Sequence, residues 1–347
     1  MKRRFAIVLA LLMMFSLLGG CGASKSEPAP DPAPDDQTVE EPTMEPITLK
    51  FATSFAGTAA STVRASEAFD RITEQTNGAI NFEVYPDNQL GSLADLMEQV
   101  KSGMPIMMFV GFDMIGDFVP EAGAIYFPYV FEDIYEIFPL VKSDWFAGVE
   151  AKIIESGVTP IGYGAAGYRH FIGSKPVRSA DDIVNLKARM APSAMAQGFI
   201  EICGGSPTTS TWVDNYSLIQ TGVFDVCEAD IQSLWNSSLQ EVSQYLSLTG
   251  HFTSPCTILI NNDIWAQIPA EYQDLIKAEL EVAMIAQTDD TVANQDVYLQ
   301  NFKDSGIEVI ENPDKASFAP YIPDLYEHVG LDPALYDAIR TAIEENK

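Results

Sequence analysis

The sequence predicts an α/β fold of parallel strand–helix layers, long enough for two domains. Three observations predict it. Residues 47–112 switch repeatedly between an alternating apolar pattern and one of period 3.6. The same switching resumes after Val158. Pro269 to Ser305 then carries one helical pattern, long enough to bend or to cross between domains.

Taken in order, Ile47 to Ala52 reads as a first strand. Ala65, Ala68, Phe69 and Ile72 share one helix face, and Asn77-Gly78 stops that helix. Ile80, Phe82 and Val84 alternate as a strand, and Pro86-Asp87-Asn88 turns the chain. Leu93, Leu96, Met97 and Val100 repeat the helical spacing, closed by Gly103, and Pro105 to Phe112 is an apolar strand. Val158 to Gly162 is the next strand. Ser179 caps a short helix to Asn185, and Leu186 to Met190 is a strand. Ala194 to Cys203 and Val213 to Thr221 are helical, the second stopped by Gly222. Thr257 to Asn261 is a strand, and Gly306 ends the long helix.

The beginning of the chain is made differently. Lys2, Arg3 and Arg4 precede Phe5 to Leu18, which is apolar apart from Ser16. That stretch is too short to span a bilayer, which takes about 20 residues, and fits a signal-peptide core. Leu18-Gly19-Gly20-Cys21 follows, the pattern of a bacterial lipobox, so residues 1–20 read as a lipoprotein signal peptide and Cys21 as the lipidated first mature residue. Two acyl chains there would anchor the protein stably on the extracytoplasmic face of the cell membrane. Residues 21–46 are rich in Pro, Asp and Glu, a composition that extends as a semi-rigid spacer instead of folding.

The formal charge is -29, and loss of Lys2, Arg3 and Arg4 with the leader makes it three units more negative. This argues against nucleic acid and against membrane contact through a basic surface. An anionic ligand would need dedicated local arginines. Cys203, Cys227 and Cys256 form no disulfide framework and no CxxC pair. Three buried thiols is the favoured reading, and a Cys203–Cys227 bridge the alternative.

Recognisable reaction chemistry is scarce. Gly162-Tyr163-Gly164-Ala165-Ala166-Gly167 matches the dinucleotide fingerprint, but Tyr168-Arg169-His170-Phe171 does not start a helix. The stretch reads instead as flexible chain at a strand end, suited to a hinge. His170, His251 and His328 have no metal-binding spacing, and no nucleophile elbow or phosphate loop occurs. No catalytic residue, metal or cofactor is therefore assigned.

Seven segments, in order and spacing, resemble the DctP-type solute-binding proteins of TRAP (tripartite ATP-independent periplasmic) transporters, from about Thr48 to about Ala342. Tyr85-Pro86-Asp87-Asn88-Gln89-Leu90-Gly91 resembles that family's YPxxQLG turn, and Phe127-Pro128-Tyr129-Val130-Phe131 its lPyvF segment. Gly167-Tyr168-Arg169 resembles GxR, and Leu186 to Pro192 resembles LKxRvp. Gly205-Ser206-Pro207, Gln220 to Asp225 and Asn262 to Pro269 resemble GasP, QtGvvDG and Nxxxwxxlp. The resemblance implies a type II periplasmic-binding-protein fold, two α/β lobes with hinge strands and a long helix spanning both. It divides the chain into lobe I, 47–166 with 255–294, and lobe II, 167–254 with 295–347. It also implies a binding role: capture of a carboxylate-containing small molecule between the lobes, and delivery to TRAP permease subunits.

In that family the second motif arginine grips the ligand carboxylate, and Arg189 stands at that position. A planar guanidinium matches a carboxylate and stays charged in a dry cleft. A structural ion pair at a strand end would use the same residue, and the resemblance favours the ligand. Arg169 matches the other family arginine, as a second contact or as support for the first. Trp212 matches a ligand-facing aromatic, although a core tryptophan reads the same way. Glu228 follows the QtGvvDG-like segment, where Val226 replaces glycine and Ala229 stands where some members carry asparagine. Glu228 or Asp230 could meet a ligand amine or a cation, and a solvated carboxylate is the plainer reading. Ser54 follows the first strand and Gly111-Phe112-Asp113 another, and the carboxyl ends of such strands would line the cleft. Gly111 replaces an acidic residue of some sialic-acid-binding members, which argues against sialic acid, and Phe112 with Trp212 suggests aromatic walls. A ligand-binding accessory of a signalling receptor is an alternative role, and an exported lipoprotein enzyme a weaker third.

Overall fold

Parallel pairing holds where strand and helix alternate early in the chain, and gives way to antiparallel pairing where long strands cross the molecule. The computed structural model describes residues 45–347; the expected signal peptide, Cys21 and nearly all of the expected spacer lie outside the described residues. The strands are β1 (Ile47–Ala52), β2 (Ile80–Tyr85), β3 (Ile106–Gly111), β4 (Val158–Gly173), β5 (Lys187–Arg189), β6 (Ser206–Thr208), β7 (Val226–Asp230), β8 (Tyr245–Ser247), β9 (Thr253–Asn261) and β10 (Glu308–Ile310). They run in the order β2-β1-β3-β9-β4-β7-β5-β6, with β8 pairing β4 and β10. β1 is parallel to β2 and β3, while β9 is antiparallel to β3 and β4.

The helices are α1 (Ala60–Gln75), α2 (Leu93–Lys101), α3 (Phe112–Ile115), α4 (Pro120–Gly123), α5 (Ile137–Val141), α6 (Asp144–Glu155), α7 (Ala194–Ile202), α8 (Asn215–Gln220), α9 (Ile231–Asn236), α10 (Asn262–Trp265), α11 (Ala270–Asp304), α12 (Ile322–His328) and α13 (Ala334–Glu345). Among the described residues no helix is long and apolar enough to cross a membrane. The apolar faces that sequence periodicity assigns are the buried ones: Ala65, Ala68, Phe69 and Ile72 on α1, and Leu96, Met97 and Val100 on α2. Their α2 N-terminus carries a reciprocal capping box between Ser92 and Asp95.

The expected loop at Gly162–Gly167 is corrected by the structure: these residues lie inside β4, which continues to Gly173. Register shifts fall at Ile161/Tyr163 and Ala165/Tyr168. The glycines are there because α11 crosses β4 directly. A Cβ on Gly162 would stand 3.0 Å from the Leu280 carbonyl oxygen, and one on Gly164 2.7 Å from that of Met284. Where the ladder shifts, α11 supplies the missing partners. Gln287 Nε2 donates to the Ala165 carbonyl at 2.7 Å, and the Ala165 N–H donates to Thr288 Oγ1 at 3.0 Å.

α11 spans 35 residues and joins two apolar clusters. Its Leu280, Ala283 and Met284 pack with Phe51, Phe69 and Ile258, while Phe302 packs with Ile172, Leu234 and Leu246. A third cluster runs from Phe112 through Phe127, Phe199 and Phe252 to Tyr326 and Ile339. α13 lies against α5 and α6, and Arg340 on it pairs with buried Glu136 at 2.6 Å. Cys203, Cys227 and Cys256 are free and buried.

Candidate ligand-binding site

β5 is only three residues long, held between two parallel neighbours: Arg189 lies beside Thr208 of β6 and Cys227 of β7. Arg189 ends its strand, and the carboxyl ends of parallel strands are where an open α/β sheet collects ligand-binding groups. Its side chain is buried, with 5 % of the residue exposed. One Nη2 hydrogen bond goes to the Ser210 carbonyl at 3.2 Å, and Nε is buried with no partner. The Trp212 ring stands 5.2 Å from the guanidinium carbon, a cation–π distance. No carboxylate of the described residues lies within ion-pair distance of Arg189.

Arg169 is treated differently by the fold. β4 and β7 pair antiparallel, which sets Arg169 and Glu228 on adjoining strands. Arg169 Nε donates to Glu228 Oε2, and Nη2 donates to Glu228 Oε1 at 2.9 Å and to the Glu228 carbonyl at 3.1 Å. The Ala191 N–H donates to Glu228 Oε1 at 3.0 Å, tying the pair to the segment after Arg189. Burial alone would raise the Glu228 carboxyl, but the Arg169 charge and hydrogen bonds hold it below the ordinary range. The reading of Glu228 as a solvated carboxylate is therefore corrected: it is fully buried and paired. Asp230 is buried too, and accepts the Ser233 N–H at 2.9 Å as the cap of α9.

Phe112 also departs from expectation. It is fully buried, edge-on to Phe146 at 6.0 Å and stacked with Tyr163 at 6.3 Å, so it supports the core and walls no cleft. Trp212 is half-buried against Arg189, and Ser54 is half-buried past the end of β1. Thus Arg189 and Trp212 stand together, and Arg169 and Glu228 form the neighbouring pair.

Sequence reasoning set Asp113 past a cleft-lining strand end but missed the rest of this polar interior. Asp113 has Arg169 and Glu228 as charged neighbours. His251 lies with Nε2 3.9 Å from Glu228 Oε2, its Nδ1 2.7 Å from Thr249 Oγ1, and its ring stacked 4.3 Å from Phe171. Burial drives both His251 and His170 down to about 3, so both are neutral near pH 7 and leave the charges of Glu228 and Asp113 in place. No spacing in the sequence announces these contacts.

Residues 53–330 match the model of the DctP family, bacterial extracellular solute-binding protein family 7. Among similar proteins, the 2,3-diketo-L-gulonate-binding periplasmic protein YiaO of Escherichia coli is 24 % identical over 76 % of this chain and 80 % of its own. The sialic acid-binding periplasmic protein SiaP of Vibrio cholerae is 25 % identical over 74 % of this chain and 80 % of its own. Among solved structures, a TRAP periplasmic solute-binding protein of Actinobacillus succinogenes with bound L-galactonate superposes with a TM-score of 0.81. It is 24 % identical and covers 86 % of this chain and 100 % of its own, which fixes the fold.

Proposed function

The chain belongs to the DctP family of bacterial extracellular solute-binding proteins, and we propose that it captures a carboxylate-bearing small molecule on Arg189 and delivers it to a TRAP membrane permease. One observation carries the reading. Arg189 is a buried guanidinium with an unpartnered Nε and no protein carboxylate in contact. A buried charge without a partner is costly, and a planar carboxylate is the complement its fork fits. Relatives named for 2,3-diketo-L-gulonate and for sialic acid, both carboxylic acids, support the ligand class.

Arg169 acts in this reading as a support. Its bidentate pair with Glu228 fixes the Glu228 carboxylate, which in turn holds the backbone just past Arg189. Trp212 covers the guanidinium and gives contact area at low entropy cost. The lobes 47–166 with 255–294, and 167–254 with 295–347, close over the solute, with α11 and β4 crossing between them. The protein binds and releases its solute without turning it over, and Cys21 tethers it by lipid to the extracytoplasmic face. Lys2 to Arg4, the apolar run to Leu18 and the small residues before Cys21 support the tether.

The test is a thermal-shift screen of the protein against organic acids. At least one acid raises the melting temperature, and Arg189→Ala abolishes that shift. Loss of one partner of a desolvated charge pair costs about 2–5 kcal/mol, enough to remove binding from the screened range. An unchanged shift in Arg189→Ala would show that the carboxylate sits elsewhere.

A further inference from the structure

Two opposite charges of this interior have no countercharge in contact. Arg169 and Glu228 cancel each other through two side-chain hydrogen bonds. Arg189 has no carboxylate within contact. Asp113, in α3 just past the carboxyl end of β3, has no cation within 4 Å; the Met114 N–H bonds its carboxylate, and no side chain of the described residues donates to it. Asp113 is half-buried, and the Arg169–Glu228 pair that adjoins Arg189 supplies its nearest opposite and like charges. Gly111 makes that position available: a Cβ there would lie 2.3 Å from Asp113 Oδ1. A free carboxylate inside a site that must also hold an anion repels a second anion. It is satisfied by a hydrogen-bond donor.

We propose that Asp113 is a specificity-determining residue of this cleft, reading a hydroxyl or ammonium group on the same solute whose carboxylate Arg189 holds. The inference rests on the carboxylate reading of Arg189 and deepens it. The solute is bipolar, an acid at one point and a donor at another. Hydroxy acids, sugar acids and amino acids satisfy both residues. A plain dicarboxylate places its second charge against Asp113 and is rejected near neutral pH.

The groups facing Asp113 set its response to pH. Burial pushes its carboxyl up to about 6; Arg169 on β4 and the Met114 N–H on α3 oppose the rise, and Glu228 on β7 and Asp117 after α3 add to it. Tyr126, a further ionisable neighbour, is neutral at that pH. Below about pH 6 Asp113 therefore gains a proton, loses its charge and becomes a donor itself.

Calorimetric titration tests this with four probes: D-galacturonate, D-glucuronate and 4-aminobutanoate, which carry donors, and succinate, which carries none beyond its two carboxylates. At pH 7.5 the intact protein binds at least one donor-bearing probe ten times or more tightly than succinate. Asp113→Asn weakens that probe by about ten- to hundredfold, the range of a hydrogen bond to a charged group. It also strengthens succinate. In the intact protein succinate binding strengthens as pH falls below 6, and in Asp113→Asn it does not. Asp113→Ser, with the same expected ratios, stands in if the asparagine variant does not fold. A preserved preference for donor-bearing acids in either variant overturns the inference, as does intact protein that binds succinate as tightly as the others. If Arg189→Ala abolishes all binding while Asp113→Asn changes no ratio, only the inference fails. If carboxylates bind unchanged without Arg189, or no probe binds the intact protein, the underlying reading fails as well.

Discussion

Replacing Glu228 by glutamine removes one charge from the fold and almost no volume. Glu228 is fully buried and accepts three hydrogen bonds on its carboxylate: two from Arg169 and one from the Ala191 N–H. Glutamine keeps one oxygen for those donors but turns an NH2 group toward the guanidinium, leaving Arg169 desolvated and unpaired. Breaking a buried pair from one side costs about 3–5 kcal/mol. Asp113 lies close enough to feel the Arg169 charge, so the lower end, about 3 kcal/mol, is expected. At about 2–4 °C per kcal/mol for a large domain, the ligand-free protein should melt about 6–12 °C lower. The assay is a thermal melt at pH 7.5 followed by circular dichroism. Removing both charges, Arg169→Met with Glu228→Leu, should restore much of the loss, because a well-packed apolar pair matches a buried ion pair in stability. A Glu228→Gln melt within about 2 °C of the parent would refute the claim that this pair is desolvated.

Gly164→Ala sets a methyl group 2.7 Å from the Met284 carbonyl oxygen and 3.0 Å from Thr288 Oγ1. Separating β4 from α11 should cost about 1–3 kcal/mol, read in a urea melt, and a loss under about 0.5 kcal/mol would contradict the close crossing. Acid should destabilise the protein well before its carboxylates titrate as a whole. His170 and His251, at about 3 when folded and 6.5 when unfolded, leave the unfolded chain binding more protons between those values. Stability then falls as pH drops below 6.5, by about 2 kcal/mol for each histidine at pH 5. Asp113, raised to about 6, works in the opposite sense and returns about 1 kcal/mol over the same interval. Melting temperatures at pH 7.5 and pH 5.0 check the balance; equal or higher stability at pH 5.0 would contradict it.

Periodic elements were legible in the sequence. β1, the buried face of α1, β2, α2 and the length of α11 follow from repeats of two or 3.6, since one face of each meets a core. β4 was legible only to Gly162, because its later glycines serve a helix that arrives more than a hundred residues further on. β7 hides for another reason: all five residues are buried, and Glu228 and Asp230 interrupt any apolar pattern. Pro255 likewise hid the first half of β9. Of the candidate site, Arg189 and Arg169 stand out in the sequence through the motifs that resemble the family's. The difference between them was not legible, because it depends on Glu228, which lies 59 residues from Arg169 and meets it only through strand pairing. Phe112 shows the converse: its position after a strand end pointed to the cleft, while its side chain packs under Phe146 and Tyr163.

The central claim is that the unpartnered charge of Arg189 is the solute's anchor. A crystal structure of the protein with the acid giving the largest thermal shift tests it most directly. The account predicts both carboxylate oxygens within hydrogen-bond distance of Arg189, one of them accepting from Nε, with the Trp212 ring alongside and Arg169 still paired to Glu228. A carboxylate bound away from Arg189, or one that displaces Glu228 from Arg169, would contradict it.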